Sequence, residues 1–161
     1  MKERTLLLLK PDGVEQDLEQ LIVSEVCRLG LHVVSRRRMQ LDRAVVAEHY
    51  AHHADKPFFP WLCTYMTRGQ VIALIVEGDG AVAKIRDLVG ATDPAKAAPH
   101  TLRARFGRRR QDGCVENVVH ASERPDEAEV EIRRFFGTEL SWWKRLLRRL
   151  SPKKLTRPRH L

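Results

Sequence analysis

The run Asn117-Val118-Val119-His120-Ala121-Ser122 carries an apolar, β-branched stretch into a titratable ring. Small residues turn the chain after it, and a helix is expected from about Pro125. An unperturbed imidazole has a pKa of about 6.5, so at neutral pH such a ring is largely uncharged and open to catalysis. Taken alone, a histidine at a strand end is more often a packed or hydrogen-bonded core residue. Candidate phosphate ligands lie elsewhere: Lys10 at the end of an apolar run, Arg86 on a helix before Gly90-Ala91-Thr92, and Arg103 in a loop. Singly, each cation reads as a solvated charge. The sequence contains no G-x-x-x-x-G-K-[ST] loop, no G-x-G-x-x-G and no G-x-S-x-G elbow. Any phosphate would therefore be gripped by side chains. His49 and His53, spaced i and i+4, could seat a metal, but no third ligand is evident and a structural or exposed role is expected.

The elements that must position these residues follow from periodicity. Residues 5–10 read as a strand closed by a Pro11-Asp12-Gly13 turn. Residues 17–29 have helical spacing, with Gly30 as C-cap. Residues 31–41 read as a second strand, and Asp42 can N-cap a helix through Val46, His49 and Tyr50. Pro57 is expected near the first turn of a short helix over 58–66 that stops at Gly69. Residues 71–76 form a continuous apolar run, hence a buried strand, and 80–89 a helix ending at Gly90. Residues 91–116 show little periodicity and read as one long loop. The order of strands and helices suits either a parallel α/β sheet or an α+β sandwich of the ferredoxin-like kind, and the sandwich is favoured.

Composition bounds the class. The 161 residues fit one domain, with 43% hydrophobic content. The apolar run 6–9 is too short for a signal segment, and no later run approaches a membrane span. Cys27, Cys63 and Cys114 are odd in number and widely spaced, as expected for reduced thiols in a cytoplasmic protein. The net charge of +8 is uneven: residues 1–137 hold 21 Lys/Arg against 20 Asp/Glu (+1), and residues 138–161 hold 8 against 1 (+7). The expected division is a body, 1–137, and a basic tail, 138–161. In the tail, Leu140, Trp143, Leu146, Leu147 and Leu150 alternate with Lys144, Arg145, Arg148 and Arg149 at amphipathic helical spacing. Such a segment suits either apolar surface on a neighbouring subunit or an anionic membrane or nucleic acid.

Six segments, ERTLLLLKPDGV (3–14), EHY (48–50), DKPFFPWL (55–62), VGATDP (89–94), TLRARF (101–106) and NVVHAS (117–122), come in an order and spacing that resemble the nucleoside diphosphate kinase family over about residues 3–136. The resemblance implies a four-stranded antiparallel ferredoxin-like sheet with helices packed on it. It implies ping-pong transfer of the γ-phosphoryl of a nucleoside triphosphate to a nucleoside diphosphate, with His120 as nucleophile. An imidazole needs no separate base to attack phosphorus, and a covalent intermediate divides the exchange into two in-line steps. By the family pattern Glu131 orients the ring, with Ser122 nearby. Lys10, Tyr50 and Asn117 surround the transferred group. Arg86, Thr92 and Arg103 clamp the other phosphates, and Phe58, with Leu62 beside it, stacks on the base. Mg²⁺ is expected on the nucleotide phosphates and not on protein ligands, and a homo-oligomer, tetramer or hexamer, is expected. Read without the resemblance, Tyr50 and Phe58 suit a core equally well, Leu62 suits it better, and Glu131 suits a helix surface.

The chain departs from the pattern at several points. Glu15-Gln16-Asp17 replaces an Arg-Gly pair and a small residue, Ala91 a Glu, His100 a Gly and Arg105 an acid; Ala121 and Glu123 replace Gly and Asp. The stretch 107–116 is longer than the pattern and carries Arg108-Arg109-Arg110. These changes leave the matched nucleophile and phosphate residues in place. A second reading is a weakly active or inactive protein of the same fold that binds nucleotides and anionic partners through its basic loop and tail.

Overall fold

The computed structural model describes residues 2–137, and the amphipathic helix expected within 138–161 lies outside the described residues. The first half runs β1 (Lys2–Leu9), α1 (Pro11–Glu15), α2 (Glu19–Arg28), β2 (His32–Gln40), α3 (Arg43–His49), a 3₁₀ turn (Ala51–His53) and α4 (Phe59–Thr67). The second runs β3 (Gln70–Asp79), α5 (Ala81–Val89), a 3₁₀ turn (Pro94–Lys96), α6 (Leu102–Phe106), β4 (Arg108–Arg109), β5 (Val115–Glu116), β6 (Val119–Ala121) and α7 (Pro125–Phe136). The main sheet has the order β2-β3-β1-β6 with every pairing antiparallel. Helices cover both faces, giving the expected ferredoxin-like sandwich.

Period-two alternation in β1 and β3 builds two cores at once. Leu7, Leu9, Ile72, Leu74 and Val76 pack against Ile22 and Val26 of α2 and Ile85 and Val89 of α5. Leu6, Leu8, Val71, Ala73 and Ile75 pack against Val46 of α3, Met66 of α4 and Ile132 and Phe135 of α7. Leu6 through Leu9 are all fully buried. Each such side chain stabilises the fold by roughly 1.5–3 kcal/mol through apolar burial. Asp42 caps α3 as expected, its carboxylate accepting from the Val45 N–H at 2.8 Å.

Three expectations need correction. Pro11-Asp12-Gly13 is not a turn but the first part of α1, with Pro11 where a missing N–H costs nothing. Pro57 lies before α4, whose first turn holds Pro60 instead. Residues 91–116 are not one loop. Asp93 caps the 3₁₀ turn by accepting from the Ala95 N–H, Thr101 caps α6, and β4 and β5 pair as a short hairpin. Elements of two to five residues are too short to set up a readable period. The hairpin arginines are matched by acids of the same chain. Glu116, fully buried, accepts from Arg68 and Arg108 and lies 3.5 Å from Arg110, while Arg109 pairs with Asp93. Among the described residues no helix is long and apolar enough to cross a membrane.

Candidate active site

β6 delivers His120 to the edge of the sheet, opposite Leu8 of β1. The approach to it is unusual. Val118 is fully buried and has φ of 58°, a left-handed conformation that a β-branched residue adopts only under constraint. The constraints are visible: the Val118 N–H donates to Asp12 Oδ2 at 3.0 Å, and the Lys10 N–H donates to the Val118 carbonyl at 2.8 Å. The Tyr65 hydroxyl donates to the other Asp12 oxygen at 2.5 Å. Gly13 makes the approach possible, because a Cβ there would sit 2.6 Å from the Val118 carbonyl oxygen. The backbone twist that aims His120 is thus fixed from the KPDG segment more than a hundred residues earlier.

His120 Nε2 lies 2.9 Å from Glu131 Oε1 on α7. The Ser122 hydroxyl donates to Glu131 Oε2 at 2.6 Å and itself accepts from the Leu6 N–H at 3.2 Å. Burial opposes ionisation of Glu131. The bonds from His120 and Ser122 and the charge of Arg134 outweigh it, and hold the carboxyl below its ordinary range. An ionised carboxylate only accepts, so Nε2 carries the proton and Nδ1 keeps its lone pair.

Lys10 follows β1 directly, at the N-cap position of α1, and is buried. Its Nζ donates to Asn117 Oδ1 at 2.7 Å, and Asn117 Nδ2 donates to the Thr92 carbonyl at 2.9 Å. Burial, with the charge of Arg103 beside it, brings the Lys10 ammonium down to about 7. Arg103 on α6 braces two carbonyls, Gly90 at 2.9 Å and Val119 at 3.1 Å, and its Nε is buried without a partner. Burial lowers its guanidinium to about 10, leaving it charged at neutral pH. Tyr50, at the end of α3, is buried with Lys10 Nζ 5.9 Å from its ring centre; burial and then the Glu131 charge push its hydroxyl up, so it stays protonated.

The rim is looser. Arg86 on α5 lies 3.8 Å from Glu123, and Thr92 is exposed. Phe58, before α4, is 42% exposed with its ring 5.3 Å from that of His53. Leu62 is buried in the core below it. Glu131 is no surface carboxylate, and His49, read from the sequence as structural or exposed, is buried against His120 with ring centres 4.5 Å apart. His53 is separate from it. Sequence reasoning missed Asp12, whose only signal was its place in the Lys-Pro-Asp-Gly run after an apolar strand, and Tyr65, which had none.

Among the described residues one group could hold a metal: His49, His120 and Glu131, whose donor atoms lie within 4.8 Å of one another. Two imidazoles and one carboxylate are not a Mg²⁺ set, which calls for oxygen ligands. Buried cations such as Lys10 and Arg103 have the chemistry to pair with phosphate oxygens instead.

A sandwich that gathers an oriented imidazole and a set of buried cations at one sheet edge has the make-up of a phosphotransferase. The family model described as Nucleoside diphosphate kinase matches residues 3–140. A curated nucleoside diphosphate kinase from Archaeoglobus fulgidus is 43% identical over 144 residues, covering 88% of this chain and 93% of that protein. One from Parafrankia sp. is 44% identical over 134 residues, covering 83% and 95%. The solved structure of a halophilic nucleoside diphosphate kinase from Halobacterium salinarum, in complex with CDP, superposes with a TM-score of 0.78 at 41% identity, covering 85% and 89%. The chain belongs to the nucleoside diphosphate kinase family. That makes it a kinase, the first of the two readings drawn from the sequence.

Proposed function

We propose that the protein moves the γ-phosphoryl of a nucleoside triphosphate to a nucleoside diphosphate through a phosphohistidine at His120. The observation that carries this reading is the His120–Glu131–Ser122 chain, which leaves Nδ1 as the free nucleophile. In the first half-reaction the Nδ1 lone pair forms an N–P bond as the bond from phosphorus to the bridging oxygen breaks, and the nucleoside diphosphate leaves with that electron pair. In the second, a terminal oxygen of another nucleoside diphosphate attacks the same phosphorus and returns Nδ1 to its starting state. Glu131 accepts from Nε2 throughout and offsets the positive charge that the ring acquires on phosphorylation.

In this reading Lys10 and Asn117 contact the transferred group, with the Tyr50 hydroxyl as a neutral donor. Arg103, Arg86 and Thr92 would hold the remaining phosphates. Phe58 offers a ring face to the base, and stacking on a ring face does not read base edges. A divalent cation, Mg²⁺ in this reading, would be held by the substrate phosphates and would offset their charge. The free cysteines Cys27, Cys63 and Cys114 support a reducing, cytoplasmic setting. A homo-oligomer, tetramer or hexamer, is part of the same proposal, as is an accessory anionic contact by residues 138–161.

The decisive experiment is labelling with γ-phosphate-labelled MgATP. The wild type should take up an acid-labile, base-stable phosphoryl group and lose it to added nucleoside diphosphate. His120→Ala should take up none, with exchange activity falling to background. Label retained in His120→Ala would refute the reading.

A further inference from the structure

The phosphotransfer reading leaves one fully enclosed imidazole without a task. His49, on the last turn of α3, has a side chain only 1% exposed. Its Nδ1 lies 3.4 Å from Arg134 Nη1 and 3.8 Å from Glu131 Oε1. Its Nε2 is buried with no hydrogen-bond partner, and the ring meets His120, Tyr50 and Phe135 edge-on at 4.5, 4.5 and 5.0 Å. Arg134 does not reach His49 by chance of rotamer. Its Nε donates to Glu48 Oε1 at 2.9 Å, so α3 and α7 are clamped together with the guanidinium turned toward the ring.

We propose that Arg134 and His49 are a positioning pair for the nucleophile: Arg134, anchored by Glu48, donates to His49 Nδ1 and so prevents His49 from taking the Glu131 oxygen that orients His120. A guanidinium can only donate, so the contact fixes His49 as the tautomer with a proton on Nε2 and none on Nδ1. A proton arriving at Nδ1 would create an N–H facing Glu131 Oε1 from 3.8 Å, the same oxygen that His120 Nε2 holds at 2.9 Å. Two ring N–H donors would then divide one carboxylate oxygen, and His120 would lose the partner that keeps Nδ1 aimed outward. Arg134 excludes this twice, by occupying the Nδ1 lone pair and by its charge.

The groups around His49 agree with this role. They are His120 on β6, Arg134 and Glu131 on α7, Lys10 after β1 and His52 on the 3₁₀ turn, with Glu48 acting through Arg134. Glu131 alone among those in direct reach would favour a charged His49. Burial first, then His120, Arg134, Lys10 and His52, hold the ring well below its ordinary range. The three-donor group of His49, His120 and Glu131 is for the same reason a poor cation site, since Arg134 already stands in it.

The inference rests on the phosphotransfer reading, and two measurements keep the two separable. Nitrogen-15 NMR of the apo wild type, uniformly labelled, reports the His49 tautomer without any nucleotide. An unprotonated Nδ1 and protonated Nε2 down to pH 5.5 is the expected result, and the opposite tautomer, or a charged ring at pH 6.5, overturns the pairing. The second measurement is the rate of phosphoenzyme formation from MgATP, read as the ratio between pH 8 and pH 5.5. In Arg134→Leu this ratio should exceed the wild-type ratio, because losing the donated bond and the Arg134 charge lets His49 take up a proton more readily as pH falls. Arg134→Lys should restore most of the wild-type ratio, and adding His49→Phe to Arg134→Leu should abolish the excess, because no second imidazole remains to charge. If Arg134→Leu merely lowers stability and runs parallel to wild type across pH, or if the double variant keeps the excess, the pair has no positioning role. Absence of phosphoenzyme in the wild type at pH 8 would count against the phosphotransfer reading instead, and the tautomer would still decide the pairing.

Discussion

The inner half of the candidate site and its rim are built by different means. His120, Glu131 and Ser122 are held in one chain of hydrogen bonds, and Lys10 and Asn117 in a second that ends on the Thr92 carbonyl, all between 2.6 and 2.9 Å, before any substrate arrives. Arg86, Thr92 and Phe58 are exposed, and Arg86 lies 3.8 Å from Glu123. A pre-ordered group loses little freedom when the transition state forms, so its interactions go into rate. A loose group must be ordered by the ligand, and that cost falls on binding. The inner residues should therefore govern kcat and the rim should govern KM.

Beyond loss of the nucleophile itself, the sharpest break of this division is Glu131→Gln. The amide can keep a hydrogen bond to Nε2 but cannot offset charge on the phosphorylated ring, so kcat should fall by about 10²-fold with KM little changed. A change mainly in KM, in steady-state exchange assays, would erase the distinction. At the rim, Phe58→Ala and Arg86→Ala should each raise KM about five- to tenfold, since one stacked base or one charged contact contributes on the order of 1–2 kcal/mol, and should leave kcat nearly intact.

Lys10 sharpens the comparison through pH. Its folded-state value of about 7 lies below the ordinary 10.5, so the folded apo chain has already released a proton between those limits that the unfolded chain retains. Lys10 therefore costs stability in its charged form below about pH 7, and that cost is progressively lifted as pH rises toward 10.5. A phosphate beside Nζ favours the charged form, so nucleotide binding at pH 8 to 9 should take up a proton. Calorimetry in buffers of different ionisation heat should find this uptake in the wild type and lose it in Lys10→Met. The smallest effect is expected from deleting residues 138–161, which should leave exchange turnover intact. If the proposed oligomer forms and falls apart on deletion, the segment belongs to the body.

What could be read from the sequence and what could not divide along range. The strands 5–10, 31–41 and 71–76, the Asp42 cap and the helix from Pro125 were legible because each is fixed by neighbours within a few residues. His120, Glu131, Ser122 and Lys10 were legible only through the ordered resemblance, since a lone ring or lysine carries no information on its partners. The bond from Val118 to Asp12 joins residues 106 apart in sequence, and no local period encodes it. The same holds for His49, whose burial comes from α7 closing over α3. The elements inside 91–116 were missed for the opposite reason: they are local, but too brief to repeat.

The four leucines of β1 alternate between the two helical layers, so one strand is the seam of both cores; it carries the Leu6 N–H that fixes Ser122 and leads directly into Lys10. Neither layer has a sheet of its own to fall back on. Softening on one side should therefore reach the other, so both layers and the catalytic shell between them are expected to melt together.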